Sequence, residues 1–259
     1  MPLSPSRARF VVFLGAVLMA DPADAQRVSE RPNLTDWPQH SMERPRPPVV
    51  DPGPYLGPAP APSDAIVLFD GGDLSEWQGA NGAAAPWRVE GDAFVVVPGT
   101  GGISTRRAFR DVQLHVEFSA PFPPVGEGQN RGNSGVFLMG LYEVQVLDSY
   151  RSDTYPDGMA GGLYGQFPPL VNPARAAGEW NVYDIVFRAP RFADDGSVAE
   201  PARFTVFMNG VLVQDDQPLV GPTSHGHRAP YARHADRLPI GLQDHEHPVR
   251  FRNIWVREL

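Results

Sequence analysis

The stretch "NSGVFLMGLYEVQVLDSY", residues 133–150, reads as two strands folded back on each other around Met139-Gly140. Apolar residues alternate with others on both sides of that turn, the period-two signature of a strand. In its second half, Tyr142, Val144 and Val146 share one face while Glu143 and Gln145 share the other. An antiparallel hairpin with one apolar face has to pack that face on another sheet. The two polar side chains on the opposite face then need a separate explanation.

The same pattern recurs outward from this hairpin. "AIVLF" (65–69) reads as a buried strand, and "WRVEGDAFVVV" (87–97) as strand, turn and strand. "DVQLHVEFS" (111–119) sets Val112, Leu114, Val116 and Phe118 against Gln113, His115 and Glu117. "WNVYDIVF" (180–187) is a further strand, and "RFTVFMNGVLVQ" (203–214) is a hairpin turning on Asn209-Gly210. "VRFRNIWVREL" (249–259) closes the chain as an alternating strand. No long helical period appears past residue 64. Short strands without helices between them predict an all-β sandwich or jelly roll of antiparallel sheets.

The 259 residues include no cysteine and carry a formal net charge of −8. The charge argues against nucleic acid as the main partner, since phosphate binding asks for a basic surface. Arg7 and Arg9 precede the apolar run Phe10 to Ala20, which is too short to span a bilayer. Ala23 and Ala25 then stand at the small-residue positions of a cleavage site. The expectation is a signal peptide over residues 1–25, a mature start at Gln26, no transmembrane anchor in the mature form, and a periplasmic or secreted protein. Residues 26–63 are proline-rich and read first as a spacer with few contacts to the domain and second as a docking strap over its surface, with Trp37 and Tyr55 the only residues there with much to bury. The domain is expected over 64–259.

"LFDGGDLSEWQG" (68–79), "NSGVFLMGLYEVQVLDSY" (133–150), "GGLYGQFPPLVNPARAAGEWNVYDIVFRAPRF" (161–192), "FTVFMNGVLVQDD" (204–216) and "LQDHEHPVRFRNIWVREL" (242–259) resemble, in this order, the 3-keto-disaccharide hydrolase domain family. The resemblance implies a concanavalin A-like jelly-roll sandwich and a part in breaking down oxidised glycosides. "SHGHRAPYARHADRLP" (224–239) is richer in histidine and arginine than the resemblance leads one to expect. Glu246 and His247 likewise stand where small or neutral residues are expected.

Within that frame, Glu143, His245 and Asp148 are the candidate catalytic groups. Jelly rolls of this kind bind sugar on a concave sheet face, where amides and carboxylates pair with neighbouring hydroxyls. Gln145, Asn133, Tyr164, Gln166, Gln243, Asp244 and Arg252 are the candidate substrate contacts. Glu143 or His245 would be the base, with Gln145, Arg252 or a metal ion steadying an oxyanion. Asp148 equally fits a turn cap, Asp244 a group orienting the His245 ring, and Tyr164 with Gln166 a loop packed on itself. Trp77, Trp87 and Trp255 read as core. "HGH" (225–227), "HEH" (245–247) and the trio Asp148, Asp153 and Asp157 match no closed zinc or EF-hand spacing, so no cofactor is assigned and a divalent metal stays open.

A 3-keto glycoside suits removal of the C2 proton, expulsion of the C1 substituent and hydration, and its ketone would come from a sugar 3-oxidoreductase. The strand reads Glu-x-Gln where the sandwich glucanases carry Glu-x-Asp-x-Glu, which disfavours ordinary retaining hydrolysis. The alternative is a non-catalytic, lectin-like carbohydrate-binding module on the same fold.

Overall fold

The computed structural model describes residues 36–259, and residues 37–259 form one compact unit. The expected signal peptide and the first part of the proline-rich segment lie outside the described residues.

The described chain is built from antiparallel sheets, with helix limited to three-residue turns. The larger sheet runs Val211–Pro218, Arg203–Met208, Asn181–Arg188, Val112–Ser119, Arg250–Glu258, Ala93–Val95, Arg88–Glu90, with Ile66–Phe69 also paired to Arg250–Glu258. The smaller sheet runs Trp77–Gln78, Ile103–Phe109, Leu238–Leu242, Ser134–Leu138, Tyr142–Val146. The two face each other as a sandwich. Val112, Leu114, Val116 and Phe118 of one meet Tyr142, Val144, Val146, Val136 and Leu138 of the other in a single buried cluster. Each large side chain so buried contributes about 1.5–3 kcal/mol. The Asn209-Gly210 turn has both residues at positive φ, 54° and 80°, as a two-residue hairpin requires.

Ile103–Phe109 and Leu238–Leu242, which occupy the middle of the smaller sheet, are not evident as strands in the sequence. "ISTRRAF" interrupts its apolar residues with two arginines, and "LPIGL" holds a proline and a glycine, which depress strand propensity. Pairing on both sides overrides local preference here.

Of the two readings of the proline-rich segment, the described part follows the strap and not the favoured spacer. It is irregular, as a chain so rich in proline must be, but its described part is strapped to the sandwich. Val50 donates to the Asn172 carbonyl (3.1 Å) and Asn172 donates to that of Pro48 (2.8 Å). The Arg175 guanidinium reaches the Gly53 carbonyl (2.7 Å) and Asn253 that of Ala59 (2.8 Å). The deepest side chain of the strap is neither Trp37 nor Tyr55 but Arg44, 2% exposed. Its guanidinium lies 3.6 Å from the fully buried Asp157 carboxylate and 3.3 Å from the Gln166 carbonyl. His40 donates its backbone N–H to the same carboxylate (3.1 Å).

Removing one partner of a buried ion pair leaves the other charge without compensation. Arg44→Ala is therefore expected to cost about 3–5 kcal/mol and lower the melting temperature by roughly 6–20 °C. A melting temperature unchanged within a degree would show the strap to be a passive spacer after all.

Candidate active site

Alternation along Tyr142–Val146 sends Tyr142, Val144 and Val146 into the core and Glu143 and Gln145 to the outer face of the smaller sheet. Phe137 pairs opposite Glu143 and Gly135 opposite Gln145, so these four share that face. Gly135 is required there: a Cβ would overlap the Glu143 carboxyl.

The outer edge of Tyr142–Val146 does not end in water. Residues 161–164 run beside it, with Gly161 donating to the Gln145 carbonyl (3.1 Å) and Gln145 to that of Gly162 (2.9 Å). Residues 223–225 cover the top. Thr223 Oγ1 accepts the Glu143 N–H at 3.0 Å, and the Thr223 N–H returns to the Leu141 carbonyl at 2.8 Å. The result is a cavity of about 270 Å³ lined by Asn133, Glu143, Gln145, Tyr164, Gln243 and His245, together with Phe137, Thr223, Ser224 and His225. Six residues singled out in the sequence thus converge on one pocket. Of the four others, Ser224 and His225 belong to the histidine-rich "SHGH" segment that stood out from the expected pattern, and Phe137 and Thr223 were not singled out.

Glu143 is 3% exposed, and burial pushes its carboxyl up to about 8. Among the pocket residues it is the lone carboxyl group. Its immediate neighbour is the Gln145 amide, 2.9 Å from Glu143 Oε1. With its nitrogen turned toward Glu143, the Gln145 amide donates to Glu143 Oε1 at 2.9 Å and to the Ser134 carbonyl at 3.2 Å. Beside it, Gln129 donates to Thr154 Oγ1 (2.7 Å) and the Gly158 carbonyl (2.9 Å). Gln243 adds an Oε1 that is buried without a partner.

The wall of the pocket is aromatic. Tyr164 shares a hydrogen bond with Tyr155 (2.9 Å) and another with His225 Nδ1 (3.1 Å). Behind them His40 of the strap stacks on Tyr155 at 4.3 Å and lies 4.9 Å from the His225 ring.

Four predicted site residues are placed elsewhere. Asp148 lies beyond the strand end, accepting Arg131 Nε at 2.7 Å and the Tyr150 N–H at 3.2 Å, so the turn-cap reading holds. Gln166 is buried behind the wall, where its amide ties down the backbone of Val220 and Gly221 (3.0 Å each). Asp244 accepts the N–H groups of Gly101 (2.9 Å) and Glu246 (3.0 Å), shaping the turn that carries His245 rather than orienting its ring.

Arg252 is the clearest correction. It projects from the outer face of the larger sheet, across the sandwich from Glu143, and cannot steady an oxyanion there. It reaches Glu117 (2.8 Å), Asp92 (2.6 Å) and the Tyr55 hydroxyl (2.7 Å), and lies 3.9 Å from the Trp180 ring centre. In this nest burial alone would raise the Glu117 pKa, but hydrogen bonds from His115, Asn253, Arg252 and Tyr55 outweigh it and hold the carboxylate down at about 2. Burial likewise opposes the His115 charge, yet Asp184 at 2.7 Å and Glu117 bring its pKa up to about 9. Trp77 and Trp87 are core, whereas Trp255 stacks flat on His115 at 5.0 Å in this outer nest.

The described residues hold no group of three or more His, Cys, Asp or Glu able to bind a metal. Asp148, Asp153 and Asp157 do not converge; they pair separately with Arg131, Arg46 and Arg44. No helix among the described residues is long and apolar enough to cross a membrane.

Residues 64–257 match the family model described as a 3-keto-alpha-glucoside-1,2-lyase-like domain. A 3-keto-disaccharide hydrolase of Bacteroides thetaiotaomicron is 26% identical over 250 residues, covering 75% of this chain and 78% of that protein. A crystal structure of a candidate glycosyl hydrolase from Parabacteroides distasonis is similar with a TM-score of 0.74 and 44% identity, over 84% of this chain and 95% of that one. A second candidate glycosyl hydrolase from that organism, at TM-score 0.53 and 18% identity over 76% and 94% of the two chains, shares the fold.

The raised Glu143 pKa makes a stability prediction. Its folded value, about 8, lies above the ordinary 4.5, so its burial costs nothing below pH 4.5 and progressively more as pH rises to about 8. Glu143→Gln removes that cost. Calorimetry is expected to show the variant melting above the native protein at pH 8.5 and close to it at pH 4. A native protein that melts higher at pH 8.5 would contradict the buried, proton-holding carboxyl.

Proposed function

We propose, from the premise that this chain belongs to the 3-keto-alpha-glucoside-1,2-lyase-like domain family, that the Glu143 pocket cleaves 3-keto-glycosides. The names of its relatives place it among carbohydrate-active hydrolases. The observation that carries the finer reading is the pocket's single carboxyl group, held neutral by burial beside imidazoles. Ordinary glycosidases flank the scissile bond with two carboxyl groups, and this pocket has one. A purely sugar-binding face has no use for a carboxylic acid poised near neutrality.

A ketone at C3 acidifies the hydrogen on C2. His245 takes that proton, and the electron pair of the C2–H bond forms the enolate with its charge on the C3 oxygen. The enolate collapses to a C1–C2 double bond, the C1–O bond breaks, and Glu143 gives its proton to the departing oxygen. Water then adds at C1 while C2 is reprotonated, the two groups exchanging roles, and the net change is hydrolysis. Gln243, with an unpartnered oxygen and a free amide N–H₂, and the Tyr164 hydroxyl are the groups on hand for the ring hydroxyls and the C3 oxygen. The ketone must come from an enzyme that oxidises sugars at C3.

Incubation with 3-keto-glucosides and their unoxidised parents is expected to release aglycone from the ketones alone. Glu143→Gln should lower turnover by about 10²–10⁴-fold with binding largely kept, and His245→Ala should lose turnover at every pH. Because Glu143 acts in its protonated form, the native rate should fall as pH rises through about 8. Full activity in both variants, or cleavage of the unoxidised parents, would overturn the assignment.

The N-terminal segment adds export to this reading. The mature protein is expected to begin at Gln26, and mass spectrometry of the exported protein finding Met1 in place would refute it.

A further inference from the structure

The strap stands before residue 64, where the family match begins, yet residues 37–44 of it run behind the wall and the cover of the Glu143 pocket. Each contact goes to a segment that shapes that pocket. The Gln39 side-chain amide donates to the Ser224 carbonyl (2.7 Å), and Arg228 donates to that of Trp37 (2.9 Å), so cover and strap are tied in both directions. Gln39 also fills the space a Cβ on Gly165 would need, one residue past Tyr164. The His40 N–H and the Arg44 guanidinium meet the Asp157 carboxylate, and the Asp157 carbonyl takes the Gly165 N–H (2.8 Å).

These ties converge on His40. Its ring stacks on Tyr155 at 4.3 Å, with centres 5.1 Å from Tyr164 and 4.9 Å from His225. Tyr155 shares a hydrogen bond with Tyr164, and Tyr164 shares another with His225, so a hydrogen-bonded chain of three rings rests on a fourth. Tyr164 and His225 line the pocket. The backbone is strained to put the fourth ring there. His40 has a φ of 63°, in the left-handed region that costs a residue with a side chain about 1–2 kcal/mol and that glycine enters freely. Its Nε2 is buried without a partner, and burial lowers its pKa against the pull of Asp157, so the ring serves as a neutral aromatic face.

We infer that His40 is a positioning residue of the Glu143 pocket, holding Tyr164 and His225 in the wall, and that the strap thereby completes the site. For its effect on rate the inference rests on the proposed cleavage of 3-keto-glycosides, and it adds the N-terminal segment to that same site. Without the ring the wall loosens and water reaches Glu143. The titratable groups facing Glu143 are Tyr164, His225 and His245, with Tyr155 behind them. Those facing His40 are Tyr155, Tyr164, His225, Asp157 and Arg228.

The test compares the native protein with three variants. His40→Gly deletes the ring and relieves the backbone, His40→Phe keeps the stack, and Tyr55→Phe loosens the strap on the larger sheet, where Tyr55 meets Glu117 and Arg252. His40→Gly is expected to lower kcat/KM on a 3-keto-glucoside by about 10–100-fold. It should also move the alkaline fall of the rate to lower pH, since a hydrated Glu143 gives up its proton sooner. His40→Phe should keep both near native, and Tyr55→Phe should lower the melting temperature and leave both alone. Carbon-13 NMR of the Glu143 carboxyl, assigned against Glu143→Gln, reads the same change without turnover. Its midpoint should drop by about one pH unit or more in His40→Gly and hold in the other two. If nothing is cleaved and the midpoint moves in this way, the cleavage proposal fails and the positioning role stands. A midpoint unmoved in His40→Gly, a His40→Phe variant as impaired as His40→Gly, or an equal effect of Tyr55→Phe would overturn the role of His40 whatever the turnover.

Discussion

Alternation along the five residues Tyr142–Val146 is the constraint from which the site follows. Three of them must fill the space between the sheets, where Tyr142, Val144 and Val146 are fully buried. A one-residue slip would put the Glu143 carboxyl into that core, so the register is held strongly. Glu143 and Gln145 are left on the other face, and the neighbouring strand answers with the small residue Gly135. What turns an ordinary outer face into a pocket is the cover. Residues 161–164 occupy the free strand edge, residues 223–225 close over the top, and the aromatic side chains between them exclude water from Glu143.

The protein buries a glutamate on each outer face, and the contrast explains what burial alone does. Glu117 accepts from Tyr55, Arg252 and Asn253 and has a histidine cation beside it, so it stays ionised far below neutrality. Glu143 has similar exposure and no lysine or arginine in its pocket wall, and its carboxyl moves the other way. The first arrangement ties a strap to a sheet. The second keeps a proton available. Both face a desolvation cost, which is heavier for Glu143, and the donors supplied to Glu117 outweigh its own.

Much of this was legible in the primary structure. The polar face of Tyr142–Val146 can be read from alternation, and the hairpin from its turn. His245 and Gln243 share a face by the same rule, and their segment belongs to the family pattern. The central strands of the smaller sheet were not legible, because "ISTRRAF" and "LPIGL" owe their conformation to partners far away in the chain. Arg252 was misplaced for a related reason: a strand sequence says which residues share a face but not which of the two outer faces they meet. Arg44 and His40 escaped notice because proline-rich composition describes backbone conformation and is silent on what the intervening side chains dock against.

The strand Arg250–Glu258 sits inside the larger sheet, paired with Val112–Ser119, Ala93–Val95 and Ile66–Phe69. Its Arg252 and Asn253 also hold Tyr55 and Ala59 of the strap. Synthesis runs in the opposite order to this dependence. The strap is made before the strand that joins the sheet halves. Until then the strands on either side are open edges with nothing to pair. Folding therefore depends on this late strand, is dominated by contacts distant in sequence and is correspondingly slow. During that wait, the edges of strands already formed stay unpaired and exposed.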